Sequence, residues 1–178
     1  MLKKSLLYLV TVSILAFLAG CSAGGPRVDY LPSFKKMALK TFAVEKSPDA
    51  DIDPLNAERI AGAIEGNLRH KGYTSAVQPD FIARYDVSVV ENVPSNVSFG
   101  FGIGSYGRHG GGSVGTSITP SRDRVAIRID MVDPRTRKVF WSTSTQKSMP
   151  DFTTPESRRA FFNAVVYELL KPFPEAKR

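Results

Sequence analysis

Hydrophobic and polar positions along the chain follow two periods, one typical of strands and one typical of helices. Apolar residues alternate with polar ones over residues 82–93, 122–132 and 138–146, and a shorter run with the same period covers residues 36–44. A period of two places successive side chains on opposite faces of an extended chain. We therefore predict four strands, each buried on at least one face.

Two segments have helical spacing instead. Residues 54–71 carry one apolar face, begin at Asp53-Pro54 and end at Lys71-Gly72. Asp is a favoured helix cap, Pro is favoured at the first helical position, and Gly tolerates the left-handed conformation that ends helices. A second helix is predicted after Thr153-Thr154-Pro155-Glu156, where either threonine can cap and Glu156 can reach back, and it ends before Pro172.

The order of these elements predicts one folded domain over residues 34–175, followed by a tail at 176–178. Asp133-Pro134-Arg135-Thr136 has the residues of a tight turn, which makes the strands on either side an antiparallel hairpin. A strand, a helix, further strands and a last helix indicate the α+β class. We expect a two-layer sandwich, with a mostly antiparallel sheet of about four to five strands and two helices packed on one face.

Residues 1–20 have the layout of a secretory signal peptide. Lys3 and Lys4 precede an uncharged run from residue 5 to residue 20 that is too short to span a bilayer and ends in small residues. The run closes with Leu18-Ala19-Gly20-Cys21, which resembles the lipobox of bacterial lipoproteins. The resemblance implies cleavage between Gly20 and Cys21 and acylation of Cys21, a covalent lipid being the cofactor expected. A signal peptide without lipidation, or a buried core cysteine, is the alternative.

Removal of the signal peptide changes the charge and the cysteine count. The mature chain of 158 residues has 22 basic and 17 acidic residues, a net charge of +5, and no cysteine is left for a disulfide. Residues 21–33 are predicted to be the acylated cysteine and a flexible tether. A serine directly after the acylated cysteine, here Ser22, resembles the pattern of outer-membrane lipoproteins. In a Gram-negative cell we therefore expect a periplasm-facing protein of the outer membrane. Its partner is the lipid bilayer, to which Cys21 attaches it.

Several segments of the chain resemble the bacterial lipoprotein family catalogued as domain of unknown function 4136. They are Lys40 to Ala43, Ile60-Ala61-Gly62-Ala63-Ile64 through Lys71-Gly72-Tyr73, Asp80 to Tyr85, Asp133 to Thr136 through Trp141, and Phe173-Pro174. The similarity covers roughly residues 30–175. The family commonly has Trp at the position of Val44 and Arg-Gly at Ser142-Thr143. The resemblance implies an exported α+β protein and brings no catalytic residues.

A glycine-rich stretch lies within residues 99–120, which we predict to be a loop. Eight of the 14 glycines fall between Gly100 and Gly115, and Gly102 to Gly107 matches G-x-G-x-x-G. Dinucleotide binding is disfavoured because Arg108-His109-Gly110 cannot begin the helix that such a site needs. Two interpretations of the segment remain. It is either a long hairpin loop without a partner, or an interaction surface formed by the large apolar side chains of Phe99, Phe101, Ile103 and Tyr106.

The hairpin strands are rich in basic residues, with nine basic and five acidic residues between Arg84 and Lys147. A solvated strand face and a surface that attracts anionic envelope material are the two interpretations, and Arg124 and Arg128 are the candidate interaction residues. Binding to nucleic acid is not expected of an exported protein. Asp130 is predicted to face solvent beside Arg128.

Catalytic and metal-binding constellations are not recognisable. His70 suits the last turn of a helix, His109 lies among glycines, and Asp133 is explained by its turn, so we expect no catalytic residue and no metal site. The sequence therefore predicts a membrane-anchored, non-enzymatic binding or assembly module that contacts an envelope protein or a cell-wall partner. A hydrolase or transferase acting on envelope polymers is the alternative.

Overall fold

The computed structural model describes residues 25–93 and 122–177. Its strands are β1 (Arg27–Tyr30), β2 (Thr41–Lys46), β3 (Thr74–Ser75), β4 (Phe81–Val93), β5 (Arg122–Val132) and β6 (Val139–Ser148). Its helices are α1 (Pro54–His70) and α2 (Pro155–Leu170), and a 3₁₀ turn spans Pro32–Lys36. The α+β class is confirmed.

All six strands form one sheet in the order β1-β6-β5-β4-β2-β3. The pairings of β1 with β6, β6 with β5 and β5 with β4 are antiparallel, whereas β2 pairs in parallel with both β4 and β3. Parallel pairing arises because α1 crosses over the sheet between β2 and β4. The sheet is thus mixed, and its six strands exceed the predicted four to five.

Both helices begin at the predicted positions. Asp53 caps α1 and accepts a hydrogen bond from the amide of Asn56 at 3.0 Å. Thr154 caps α2, but Ser157 rather than Glu156 completes the capping box, because the third helical residue is the one whose side chain reaches the cap amide. Gly72 follows α1 with φ +87°, in the left-handed region predicted for it.

The segment predicted to be a flexible tether is ordered over part of its length. Residues 27–30 form β1, which pairs with β6, and residues 32–36 form the 3₁₀ turn. The first strand was also expected at residues 36–44, whereas β2 covers Thr41–Lys46. Both differences have one cause: strand pairing with distant parts of the chain decides which residues of a short alternating run become extended.

The core lies between the helices and one face of the sheet. Apolar side chains of α1 and α2 pack on alternate residues of β4 and β5, which include Ala83, Val87, Ile127 and Ile129. The opposite face of the sheet carries the intervening residues, and we call it the open face. The two helices contact each other, which places both on the same side of the sheet as predicted.

Asp80 holds the start of β2 beside the start of β4. Its carboxylate accepts hydrogen bonds from the amides of Lys40 and Thr41, both at 2.9 Å, and these bonds lower the pKa of Asp80. A lowered folded-state pKa means that the carboxylate stabilises the fold above its unfolded pKa. The contribution is lost as the pH falls through the folded-state pKa.

Candidate functional site

A pocket of about 400 Å³ lies on the helix side of the sheet, next to β1. Residues from β1, the 3₁₀ turn and the segment that follows it, the segment after α1, β6 and the segment after α2 line it. The lining consists of Val28, Tyr30, Phe34, Lys35, Met37, Leu39, Tyr73, Trp141, Pro172, Pro174, Glu175 and Lys177. Most of these side chains are apolar or aromatic, so the pocket suits an apolar group.

The wall formed by residues 172–177 is held in place by Phe173. Its side chain is 1% exposed, and its ring lies 5.0 Å from that of Trp141 and 5.6 Å from those of Phe34 and Tyr73, measured between centroids. The ring of Phe81 is 5.7 Å away. Phe173 is therefore the centre of an aromatic cluster that joins the two ends of the described chain.

Polar contacts from the end of α1 fasten the same wall. The Tyr73 hydroxyl donates to the Pro174 carbonyl at 3.2 Å, and Lys71 Nζ donates to the Phe173 carbonyl at 2.7 Å. The Ala176 amide donates to the Lys71 carbonyl at 2.9 Å. These contacts fix residues 173–176 against the domain, so the pocket is largely preformed.

Burial shifts the ionisation of both side chains that fasten this wall. Loss of solvation raises the pKa of Tyr73 to about 12, which keeps the hydroxyl protonated as a donor at neutral pH. Burial lowers the pKa of Lys71, while the nearby Glu175 carboxylate opposes that shift. Both side chains are engaged in hydrogen bonds to the backbone of residues 173–174.

The rim of the pocket carries more positive than negative charge. Lys35 and Lys177 are both exposed, as is Glu175. Lys35 Nζ lies 5.6 Å from the centroid of the Tyr30 ring, within the range of a cation–π contact. The rim therefore favours a ligand that carries a negative charge beside its apolar part.

The candidate interaction residues Arg124 and Arg128 both lie on β5. Arg128 lies on the open face, where it forms ion pairs with Asp86 at 3.2 Å and with Asp130 at 3.4 Å. Arg124 is half-buried. These carboxylates offset the charge of the Arg128 guanidinium, so within the described residues Arg128 is engaged in ion pairs, and an interaction surface at Arg124 and Arg128 stays a prediction.

Asp130 is buried rather than facing solvent. Only 6% of the residue is exposed, Ser142 Oγ donates to its carboxylate at 2.6 Å, and Arg84 lies 3.8 Å away. The strand register places Asp29, Ser142, Asp130, Arg84 and Glu45 in one row across five strands of the open face. Long arginine side chains beside it shield Asp130 from water.

The other predicted site residues lie outside the described residues. They are the lipidation and cleavage residues Cys21 and Gly20, and the candidate surface formed by Phe99, Phe101, Ile103 and Tyr106.

The sequence did not point to this pocket, in part because Val28 and Tyr30 fall in the segment predicted to be a tether. Val28 and Tyr30 alternate with Arg27 and Asp29, which is a strand period in only four residues. That alternation was the available signal. The prolines that were interpreted only as helix stops, Pro172 and Pro174, form part of the wall.

The pocket lining offers few side chains of the kinds that act in catalysis. The pocket lining contains no Ser, Thr, Cys or His, and its single carboxylate belongs to Glu175. Within residues 25–93 and 122–177, no three His, Cys, Asp or Glu side chains come together as a potential metal site. The same residues contain no helix long and apolar enough to cross a membrane. The hydrolase or transferase alternative thus gains no support.

Comparisons with known proteins place the fold. A family model described as a domain of unknown function matches residues 26–175. The PelC dodecamer from Paraburkholderia phytofirmans is similar in structure, with 12% identity, a TM-score of 0.51, and coverage of 86% of this chain and 100% of that chain. A minor lipoprotein from Acinetobacter baumannii has 9% identity, a TM-score of 0.40, and coverage of 76% and 89%. No curated protein matches the chain. At this identity the likeness to PelC extends to the fold alone.

Proposed function

Because the chain belongs to the family known as domain of unknown function 4136, whose description assigns no activity, we propose its function from the pocket. The protein is a lipid-anchored, non-enzymatic binding module of the cell envelope. Its pocket beside β1 takes an apolar group that carries a negatively charged end. Acylated Cys21 holds it on the periplasmic side of the outer membrane.

The observation that carries this proposal is the aromatic lining of a preformed pocket. A volume of about 400 Å³ is at the lower end of the range for ligand pockets, which suits one ring or one short chain. Tyr30 and Phe34 form one wall, and Lys35 at the rim supplies positive charge. An anionic amphiphile or the apolar side chain of an acidic protein segment has this chemistry.

The distance between the anchor and the pocket supports a ligand close to the bilayer. Cys21 precedes Arg27, the first residue of β1, by six positions. A fully extended chain of that length reaches about 20 Å. β1 and the pocket beside it therefore stay within a short distance of an acylated Cys21.

Anchoring is tested by replacing Cys21. We expect Cys21→Ser to abolish incorporation of a metabolically supplied alkyne fatty acid into the full chain, because the thiol is the acylated group. Ser22→Ala, one residue away, should be labelled like the wild type. Labelling of Cys21→Ser, or no labelling of the wild type, would refute the anchor.

Pocket binding is tested through the fluorescence of Trp141, the only tryptophan of the chain, which is 2% exposed and lines the pocket. The mature chain with Cys21→Ser is titrated with lysophosphatidylglycerol below its micelle concentration. We expect a saturable signal, and Tyr30→Ala should weaken the apparent affinity about tenfold, as expected for the loss of one aromatic contact of about 1.4 kcal/mol.

The controls separate the pocket from general hydrophobic binding. Tyr167, which is 56% exposed on α2 and does not line the pocket, provides the matched variant Tyr167→Ala, which should bind like the wild type. Lysophosphatidylcholine, which has no net charge, should bind more weakly. Equal binding by the two tyrosine variants would contradict the proposed site.

A further inference from the structure

The outer edge of β1 is the terminal edge of the sheet, and all four of its residues are exposed. The Leu31 amide donates to the Phe140 carbonyl at 2.9 Å, which sets the phase of the ladder between β1 and β6. In an antiparallel pair, alternate residues direct their backbone groups toward the partner strand. Arg27 and Asp29 therefore face β6, and the amides and carbonyls of Val28 and Tyr30 point away from the sheet.

A strand added at this edge must satisfy two side-chain patterns. Residues opposite Val28 and Tyr30 would lie on the helix side, beside the pocket, and should be apolar. Residues opposite Arg27 and Asp29 would lie on the open face and should be acidic and basic, respectively. An antiparallel strand that fits reads apolar, basic, apolar, acidic from its N-terminus.

Residues Pro26-Arg27-Val28-Asp29 of this chain have that pattern themselves. We propose that two copies of the chain pair antiparallel through β1, with Val28 opposite Val28 of the second copy. Arg27 of each copy then lies opposite Asp29 of the other, and two related ion pairs form across a twofold axis. The joined sheet has twelve strands, and the pockets of both copies lie on the same side of it.

Charge selects this register over its neighbours. A shift of two positions in pairing places Asp29 opposite Asp29 or Arg27 opposite Arg27, and like charges directly opposite each other destabilise a sheet. A shift of one position pairs each residue whose backbone groups point out of the edge with a residue whose groups point toward β6. The hydrogen bonds between the two copies are then lost. Pro26 opposite Tyr30 costs one donor, but its carbonyl still accepts from the Tyr30 amide.

The membrane explains how so short an edge can hold two copies together. Interfaces that persist in solution bury about 1,200–2,000 Å², far more than four residues on each copy provide. Two chains anchored in one bilayer have a raised effective concentration, which favours weak contacts. The pairing is therefore expected on membranes and not in dilute solution, and it is independent of what the pocket binds.

Cysteine crosslinking of the full chain in cell membranes tests the register. Val28→Cys should form a disulfide dimer under mild oxidation, since the Cα atoms of a hydrogen-bonded pair are about 5.5 Å apart. Arg27→Cys and Asp29→Cys should each remain uncrosslinked alone and should crosslink when co-expressed, because position 27 lies opposite position 29. The wild-type chain, which has only Cys21, gives the background.

Charge reversal tests the ion pairs in the Val28→Cys background. Arg27→Asp and Asp29→Arg should each lower the dimer yield severalfold, because each opposes like charges. Co-expression of these two variants should restore the yield as a mixed dimer. Equal crosslinking at positions 27, 28 and 29, failure of the mixture to recover, or disulfides from position 28 only to another protein would overturn the proposal.

Discussion

Phe173→Ala is expected to lower the free energy of unfolding by about 3–5 kcal/mol. The ring is 1% exposed and contacts four other aromatic rings, so its removal loses both buried area and packing contacts. A domain of this kind has a total stability of about 5–15 kcal/mol. The variant should therefore approach marginal stability. It should also lose the pocket, because the Phe173 ring holds one wall of it in place.

Urea denaturation measures the loss of free energy of unfolding in the mature chain, and thermal unfolding measures the change in unfolding temperature, both followed by circular dichroism. The unfolding temperature should fall by about 10 °C, and lysophosphatidylglycerol should no longer change the Trp141 fluorescence. Phe173→Leu, which retains most of the volume, should lose much less stability. The exposed Tyr167→Ala should stay within about 0.5 kcal/mol of the wild type, and a similarly small loss in Phe173→Ala would show that the cluster is not central.

The elements predicted most accurately are those with local signals. α1 was expected over residues 54–71 and ends one residue earlier, because Asp53, Pro54 and Gly72 mark its ends within the sequence itself. β4 and β5 coincide with their predicted runs to within one residue, since each alternates over ten or more positions. Long periodic segments carry enough information to decide their own structure.

The elements that were missed depend on distant partners. β1 pairs with residues more than 100 positions later in the chain, and β3 is only two residues long. The parallel pairing of β2 with β4 requires α1 to return the chain across the sheet, which strand periodicity does not reveal. A four-residue alternation beside Gly and Pro gives no local sign that such a partner exists.

The candidate site was unpredictable for a related reason. Its walls come from four separate segments, represented by Tyr30, Tyr73, Trp141 and Pro174, and none of them has a recognisable motif. The pocket exists because the chain after α2 returns to Phe34 and Tyr73. Sequence patterns show which side chains are apolar, but the concave surface depends on tertiary packing.

Asp130 is the second residue whose removal should have a large effect. Asp130→Ala is expected to lower the free energy of unfolding by about 2–3 kcal/mol. The buried carboxylate accepts a hydrogen bond from Ser142 and lies between Arg84 and Arg128. Its removal leaves these two guanidinium groups near each other without the negative charge between them. Removing one partner of a fully buried pair costs about 3–5 kcal/mol, but both arginine side chains are about one quarter exposed, which weakens the effect.

Two further variants separate charge from packing. Asp130→Asn keeps an acceptor for Ser142 and should lose about half as much stability, because only the charge is removed. In a double-mutant cycle with Arg84→Ala, the coupling energy should favour the native pair by at least about 0.5 kcal/mol and should decrease at high salt. The exposed Asp151→Ala is the matched control and should unfold like the wild type.

The result also shows whether Arg84 and Arg128 on the open face are available to an anionic partner. If Asp130→Ala is clearly destabilising and the coupling with Arg84 is favourable, the arginines of this face are engaged within the sheet and are not available to an anionic partner. A neutral Asp130→Ala with no coupling would mean that Arg84 and Arg128 gain nothing from the carboxylate, which would favour the open face as a docking surface. The structure favours the first outcome, because Asp86 also neutralises Arg128 from the neighbouring strand.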